Sequence, residues 1–211
     1  MTGTDIDPQT LLALGDVSRE TLDRLKLYVS HLNQWQSKLN LIGASEIDHI
    51  WGRHILDCAQ LMPLIKPIHG PKLDLGSGAG FPGMVLAILG ISDFTLIESN
   101  TRKCVFLRQA ARLTETSVEI FEGRAEDYKP NVPAQVITAR ALASLDKLFA
   151  IAYPLLAPDG VCLFLKGQNF KQELTDSRKR WHINTDIHPS GTDSSGRILI
   201  MKGLEPIHAQ P

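Results

Sequence analysis

The stretch KLDLGSGAGFPG, Lys72 to Gly83, carries four glycines after a short apolar run and can be read in two registers. Gly76, Gly78 and Gly80 give G-x-G-x-G directly at the end of the run. Gly78, Gly80 and Gly83 give G-x-G-x-x-G, the pattern of dinucleotide-binding loops. Each register predicts a different ligand, so the choice between them decides which chemistry this chain can perform.

The sequence around this loop predicts an α/β fold. Short apolar runs alternate with helical patterns, which is typical of a parallel sheet with crossover helices. We expect strands at 72–75, 94–98, 118–121, 135–139 and 160–166, and helices at 82–90, 100–113 and 144–156. The tail, WHINTDIHP and GRILIMKG joined by SGTDSSG, predicts an antiparallel hairpin at the sheet edge. The expected fold is a doubly wound, Rossmann-like sheet with this terminal hairpin.

The first 70 residues have a helical pattern of a different kind. Ser18 is placed to cap a helix whose apolar side chains recur at three- and four-residue steps. A second amphipathic helix is expected to begin after Ser45 and to stop at Pro63. We therefore predict a helical extension, residues 1–70, packed on a sheet domain, residues 71–211.

Composition narrows the class of protein. A chain of 211 residues with 43% hydrophobic content supports one well-buried core, and a net charge of −1 gives no global attraction for nucleic acid. The three cysteines fit neither a disulfide framework nor a C-x-x-C site, so we expect buried free thiols. The polar start and the lack of a long apolar stretch predict a cytoplasmic protein with no membrane partner. We also expect no metal and a monomer.

The strand end favours the first glycine register. The apolar run ends at Leu75, so Gly76 occupies the turn, and Pro82 suits a helix start better than a loop whose amides bind pyrophosphate. Asp74 would repel a pyrophosphate but accept hydrogen bonds, through water, from a cationic ligand. Glu98 ends the next strand, where an acidic residue takes ribose hydroxyls, but it would serve NAD equally well and does not discriminate between the two cofactors. We therefore predict S-adenosylmethionine, and keep an NAD-dependent oxidoreductase, using Gly78, Gly80 and Gly83, as the alternative.

The residues after the fourth strand limit the atom that is methylated. The stretch ITARAL lacks the Asn-Pro-Pro-aromatic pattern that holds exocyclic amines, and no cysteine stands where a covalent nucleophile is needed. Arg140 does stand there, and its guanidinium is suited to hold the cofactor, a guanine edge or a phosphate; the alternative is a structural ion pair with Glu126. A ring nitrogen with a free lone pair is compatible with these exclusions, but they do not prove it.

Several longer motifs resemble one family. LNQWQSKLNLIG, RHILDC, LDLGSGAGFPG, LIESNTRKCVFLR, GRAED, ITARALASL and LFLKG resemble the RsmG (GidB) family of bacterial 16S rRNA guanine-N7 methyltransferases over residues 22–202. The resemblance implies S-adenosylmethionine as the cofactor, 16S rRNA or the small ribosomal subunit as the partner, and N7 of guanine 527 as the methylated atom.

Site residues are expected partly from the resemblance, which carries over Gly76, Phe81, Ala125, Glu126 and Arg140, and partly from the strand ends and the positions of basic residues. The expected cofactor contacts are Gly76, Gly78, Phe81, Glu98, Ala125, Glu126 and Arg140, and Arg140 is also the candidate for a positioning role in catalysis. The candidates for RNA contact are Arg53, His54, Lys166 and Arg197. Because His54 and Asp57 lie three residues apart, they share a helical face, and a structural polar network is the favoured interpretation over a place at the RNA entrance.

Overall fold

Seven strands form one twisted sheet. The computed structural model describes residues 5–14 and 17–207. The strands are β1 (Lys72–Leu75), β2 (Phe94–Glu98), β3 (Glu119–Glu122), β4 (Ala134–Arg140), β5 (Leu156–Lys166), β6 (Trp181–Pro189) and β7 (Arg197–Pro206). Their order is β3-β2-β1-β4-β5-β7-β6. The first five are parallel, and β7 pairs antiparallel with both β5 and β6. The predicted doubly wound sheet with a terminal antiparallel hairpin is confirmed.

The helices cover both faces of this sheet. They are α1 (Arg19–Leu39), α2 (Asp57–Ala59), α3 (Met62–Ile65), α4 (Gly83–Ile88), α5 (Thr101–Leu113), α6 (Leu145–Ala152) and α7 (Phe170–Ser177). Shorter 3₁₀ segments lie at Pro8–Leu14, Ala44–His49 and Ala125–Asp127. The sequence patterns did not predict α7. Its eight residues bury only Phe170, Leu174 and Ser177, which is too short a stripe to stand out from a polar loop.

The prediction of one continuous second helix in the N-terminal region was wrong. Ser18 does cap α1, accepting the Thr21 amide at 3.1 Å. Ser45, however, lies inside a 3₁₀ segment, and a π-helix follows at Trp51–Leu56 before α2 begins. Pro63 does not stop a helix but sits in the first turn of α3. The apolar stripe steps five residues from Ile50 to Ile55, and the wider π turn keeps both of them buried.

Alternating side chains of the strands supply two cores. In β5, Val161, Leu163 and Leu165 face one core and Cys162 and Phe164 face the other. The first core also contains side chains from α1, α4, α5 and the segment between α1 and β1, while the second contains side chains from α6 and α7. Both faces of the parallel strands are therefore covered, which is why they read as continuous apolar runs in the sequence.

The N-terminal helices pack on the sheet and reach its carboxyl edge. The ring of Tyr28, in α1, is fully buried, and its hydroxyl donates to the carbonyl of Ala79 in the loop after β1. The extension thus contributes directly to the edge where parallel strands of this fold present their ligand sites.

Among the helices of residues 5–14 and 17–207, none is long and apolar enough to cross a membrane.

Candidate active site

A cleft of about 710 Å³ opens at the carboxyl ends of β1, β2 and β4, and we call it the cofactor cleft. All seven residues predicted to contact the cofactor line it: Gly76, Gly78, Phe81, Glu98, Ala125, Glu126 and Arg140. They come from the ends of four different strands and the segments that follow them. The sheet topology therefore brings together side chains that are up to 64 positions apart in the sequence.

The backbone of the loop after β1 decides the glycine register. Gly76, Gly78 and Gly80 have φ values of 62°, 56° and 95°, a region that residues with a Cβ rarely adopt. Gly83 instead begins α4, where an added Cβ would lie 2.7 Å from Cβ of Asp74. Gly83 is therefore a packing glycine, a role that the third glycine of the dinucleotide pattern also has, and the register is decided by the end of β1 at Leu75, which places Gly76 in the turn. The dinucleotide register, Gly78, Gly80 and Gly83, is not the one that the backbone follows.

Glu98 is held rigidly at the floor of the cleft. Its Oε2 accepts the Gly78 amide at 2.8 Å and its Oε1 accepts the Asn100 amide at 2.7 Å. Two charge-assisted hydrogen bonds fix the plane of the carboxylate, while each oxygen keeps further acceptor capacity. An added Cβ at Gly78 would meet no atom closer than the Gly76 carbonyl oxygen at 3.8 Å, so the loop leaves open space beside Glu98. Carboxylate and space together fit the diol of a ribose.

Asp74 does not have the place that the sequence suggested. Its side chain is fully buried under the start of α4 and is absent from the lining of the cleft, so it does not face a ligand there. Oδ1 accepts the Thr138 hydroxyl at 2.7 Å, and Oδ2 has no hydrogen-bond partner. Burial raises the pKa of Asp74 to about 6. Successive side chains of a strand point to opposite faces of the sheet. The Asp74 side chain therefore points to the face opposite the core that the Leu75 side chain enters.

Phe81, His54 and Arg140 form a stacked group at one end of the cleft. The rings of His54 and Phe81 lie 4.8 Å apart and nearly parallel, and the Arg140 guanidinium carbon lies 4.9 Å from the centre of the Phe81 ring. Arg140 Nη2 contacts His54 Nδ1. Because a guanidinium only donates, Nδ1 accepts and the imidazole is neutral. Burial, followed by the charges of Arg140 and Arg53, lowers the pKa of His54 to about 3.

Asp57, not Glu126, is the ion-pair partner of Arg140. Arg140 Nη1 lies 3.3 Å from Asp57 Oδ2 and donates to the Arg53 carbonyl at 3.1 Å. The expected polar network of His54 and Asp57 is therefore present, with Arg140 joining the two side chains. Asp57 comes from the N-terminal extension and Arg140 from the end of β4, so the sequence spacing alone gave no sign of this pairing.

A second cavity of about 400 Å³ adjoins the cofactor cleft. The two share Glu46, His54, Arg140 and Ala141. All four candidates for RNA contact, Arg53, His54, Lys166 and Arg197, line this second cavity. Lys166 Nζ pairs with Glu173 at 2.7 Å, and Arg197 Nη1 donates to the carbonyls of Ser194 and Gly196. The chain thus brings its predicted RNA residues to the mouth of its predicted cofactor site.

Sequence reasoning missed one polar residue of the site, Glu46, and assigned no role to another, Asn40, which matches the N-terminal signature of the family. Glu46 lines both cavities, and its Oε1 lies 3.2 Å from Nη2 of Arg53. Asn40 lines the cleft in a left-handed conformation, with φ 41°, as the residue that ends α1. Asn40 carried a signal, because asparagine tolerates this conformation and it stands at the end of the helical pattern. Glu46 carried none, since it reads as a solvent-exposed helical residue.

The remaining reactive side chains lie outside this chemistry. Cys58, Cys104 and Cys162 are buried and free, as predicted. Cys104 Sγ donates to the Glu98 carbonyl at 3.2 Å, and burial raises its pKa to about 11, which does not suit a nucleophile. Across residues 5–14 and 17–207, no three His, Cys, Asp or Glu side chains are grouped so that they could hold a metal ion.

A doubly wound sheet whose G-x-G-x-G loop faces an acidic residue at the end of β2 defines the class of S-adenosylmethionine-dependent methyltransferases. Solved structures with the same fold include the glycopeptide N-methyltransferase MtfA in complex with S-adenosylmethionine (TM-score 0.58, 13% identity, covering 71% of this chain and 93% of that one). Another is the ribosomal protein L11 methylase of Lactobacillus delbrueckii (TM-score 0.55, 15% identity, covering 70% and 76%).

Sequence comparison gives the family. The family model described as rRNA small subunit methyltransferase G matches residues 21–200. The ribosomal RNA small subunit methyltransferase G of Paramagnetospirillum magneticum is 50% identical over 204 residues, which cover 97% of this chain and 99% of that protein. The protein of the same name from Granulibacter bethesdensis is 46% identical over 90% of each chain. The chain belongs to the rRNA small subunit methyltransferase G family.

Proposed function

We propose that this protein transfers a methyl group from S-adenosylmethionine to N7 of a guanine in 16S rRNA, at position 527. The observation that carries the proposal is the junction at Arg140 and His54, where the cofactor cleft opens onto a cavity lined by Lys166, Arg197 and Arg53. A methyl donor and an RNA chain need adjoining sites of these two kinds. Family membership supports the rRNA substrate and gives no support to the oxidoreductase alternative.

The residues of the cleft fit the cofactor by their chemistry. The anchored Glu98 carboxylate is suited to accept ribose hydroxyls, and Ala125 leaves room for an adenine whose amino group Glu126 accepts. Gly76 and Phe81 lie at the other end of the cleft, where we assign the methionine part. Arg140 is the positioning residue between this end and the substrate. These assignments follow from the place of each residue in the cleft and from the residue-by-residue match to the family.

The proposed reaction asks the protein for positioning rather than for a base. When bound, the cofactor would supply a sulfonium methyl group to the N7 lone pair, and the electrons of the broken S–C bond would remain on sulfur. N7 carries no proton, so no side chain has to remove one. His54 is consistent with a site that positions the reactants and transfers no proton. Its pKa of about 3 leaves the imidazole uncharged at neutral pH. The contribution of the protein is then to orient the two reactants in line.

The RNA chain is assigned to the second cavity. Lys166, Arg197 and Arg53 are cations suited to phosphodiester oxygens, and the overall charge of −1 means that these local groups must supply the attraction. An activity on ribosomal RNA is consistent with a cytoplasmic protein. We propose that it acts as a monomer.

Transfer of labelled methyl tests the function. Small ribosomal subunits that lack the mark are incubated with the protein and labelled S-adenosylmethionine, and the methylated base is identified after digestion. We expect label in 7-methylguanosine at one position. Label on another base, on protein, or nowhere would contradict the proposal. Calorimetric titration with S-adenosylmethionine and with NAD provides the matching binding test, in which binding of NAD alone would contradict it.

Substitution of Arg140 tests its positioning role. We expect Arg140→Ala to lower kcat/KM roughly a hundredfold, because a misplaced reactant can cost that much, and Arg140→Lys to restore only part of it, because lysine lacks the planar fork. Arg112→Ala is the matched control, since Arg112 lies in the last turn of α5 and borders neither cavity. Unchanged turnover and cofactor affinity in Arg140→Ala would refute the assigned role.

A further inference from the structure

Leu142 is an exposed apolar side chain at the reaction site. Eight large apolar side chains of residues 5–14 and 17–207 are exposed, and Leu142, at 41%, is the one among them that lines the cofactor cleft. The others lie elsewhere on the surface. An exposed leucine taken singly needs no explanation, but one that lines a ligand cleft is placed to be covered when a ligand enters.

The position of Leu142 is fixed by contact with the glycine loop. A Cβ added to Gly76 would lie 2.5 Å from Cδ1 of Leu142, so the leucine packs directly on the bare backbone of the first loop glycine. On its other side, Leu142 lines a third cavity of about 680 Å³, together with Ala143, Ser144 and Lys166. Leu142 therefore forms the wall between the cofactor cleft and the space outside it.

The backbone before Leu142 is strained. Ala141 has φ 51°, in the left-handed region that residues other than glycine, asparagine and aspartate seldom adopt. Ala141 also lines all three cavities. An unfavourable conformation kept at the junction of three cavities indicates that the resulting direction of the chain serves a function. Here it turns the chain out of β4 immediately after Arg140 and carries Leu142 over Gly76.

We propose that Leu142 is the apolar platform against which one face of the target guanine lies while its N7 faces the methyl donor. This inference rests on the proposed function and deepens it by naming the residue that receives the base. A nucleobase has apolar faces and polar edges, so an exposed leucine takes its face while neighbouring polar groups take its edges. Lys166, which lines the third cavity beside Leu142 and pairs there with Glu173, is the cation placed to meet a phosphodiester next to a base held there.

The test compares three variants in the labelled-methyl assay with small ribosomal subunits. We expect Leu142→Ala to lower kcat/KM for the subunits roughly tenfold, at the low end of the range for loss of an aromatic base-stacking contact, because a leucine offers apolar contact without stacking. Its affinity for S-adenosylmethionine, measured by calorimetry, should stay close to that of the wild type. Leu142→Met, which keeps an apolar side chain of similar volume, should restore most of the activity. Leu113→Ala is the matched control, because Leu113 is a leucine 45% exposed that borders none of the three cavities.

The outcomes separate this inference from the proposed function. If the wild type transfers methyl to guanine N7 and Leu142→Ala does so with unchanged kcat/KM, the platform is refuted and the function stands. If Leu142→Ala loses cofactor affinity by the same factor as activity, Leu142 is a cofactor contact and the platform is likewise refuted. If the wild type itself transfers no methyl to guanine, the proposed function fails and the platform fails with it.

Discussion

At the scale of single residues, the buried carboxylate of Asp74 is unfavourable for the stability of the folded protein. The carboxylate is fully buried, one of its oxygens has no partner, and burial raises its pKa from 3.8 to about 6. A buried carboxylate without a directly paired cation destabilises the folded state whenever it is ionised. Asp74 packs against Gly83, where α4 begins beneath the glycine loop. The unfavourably buried carboxylate therefore lies next to the cofactor cleft.

We predict that Asp74→Asn stabilises the protein at neutral pH but not in acid. The folded pKa lies above the unfolded one, so the wild type loses stability as the pH rises from about 4 through about 6. The free energy of unfolding of the variant should therefore exceed that of the wild type by on the order of 2 kcal/mol at pH 8 and by little at pH 4. Urea denaturation across this range measures the difference. A difference that is independent of pH would show that Asp74 does not titrate on folding.

At the scale of elements, Asp57 joins α2, the end of β4 and the turn between β6 and β7. Its Oδ1 accepts the hydroxyls of Ser190 and Thr192, at 3.0 and 2.8 Å, and the Gln60 side-chain amide at 3.2 Å. Its Oδ2 pairs with Arg140. The same carboxylate thus holds the arginine of the cofactor cleft and the turn that lines the second cavity.

We predict that Asp57→Ala lowers the free energy of unfolding by about 2–4 kcal/mol, because it leaves Arg140 and two hydroxyls without their partner. Ser190→Ala should cost about 1–2 kcal/mol, since it removes the bond to Asp57 and those that the hydroxyl makes with Gln60 and Thr192. Urea denaturation of both single variants and of the double variant completes the test. In the Asp57→Ala background, Ser190→Ala should cost less than in the wild type, because the bond between the two residues is already absent. Additive losses would mean that the turn and Asp57 are not coupled.

At the scale of the whole molecule, the N-terminal extension and the sheet share one core. The first core combines side chains of α1, such as Leu25, Tyr28 and Leu32, with Met84, Leu96 and Phe106 of the sheet domain. Removing the extension would expose this whole apolar face to water. The boundary near residue 70 therefore marks a change of pattern along the chain rather than a division of the core.

We predict that residues 71–211 alone do not form a cooperatively folded unit that binds S-adenosylmethionine. Circular dichroism during urea denaturation and calorimetry with the cofactor measure this. A truncated chain that unfolds in a sharp transition and binds the cofactor as tightly as the full chain would contradict the prediction.

A milder variant of the full chain is Tyr28→Phe, which leaves the Ala79 carbonyl without its donor. It should lower the free energy of unfolding by about 1–2 kcal/mol.

The local sequence determined the sheet and its glycine loop. Apolar runs, the position of Leu75 and the placement of Pro82 predicted β1 to β5, the terminal hairpin and the G-x-G-x-G register, because strand ends and turns depend on a few neighbouring residues. Only the tertiary structure decided the pairing of Asp57 with Arg140, the burial of Asp74 and the place of Leu142 over Gly76. Each of these depends on elements brought together by the sheet from distant parts of the chain, and local patterns do not encode which distant side chains meet.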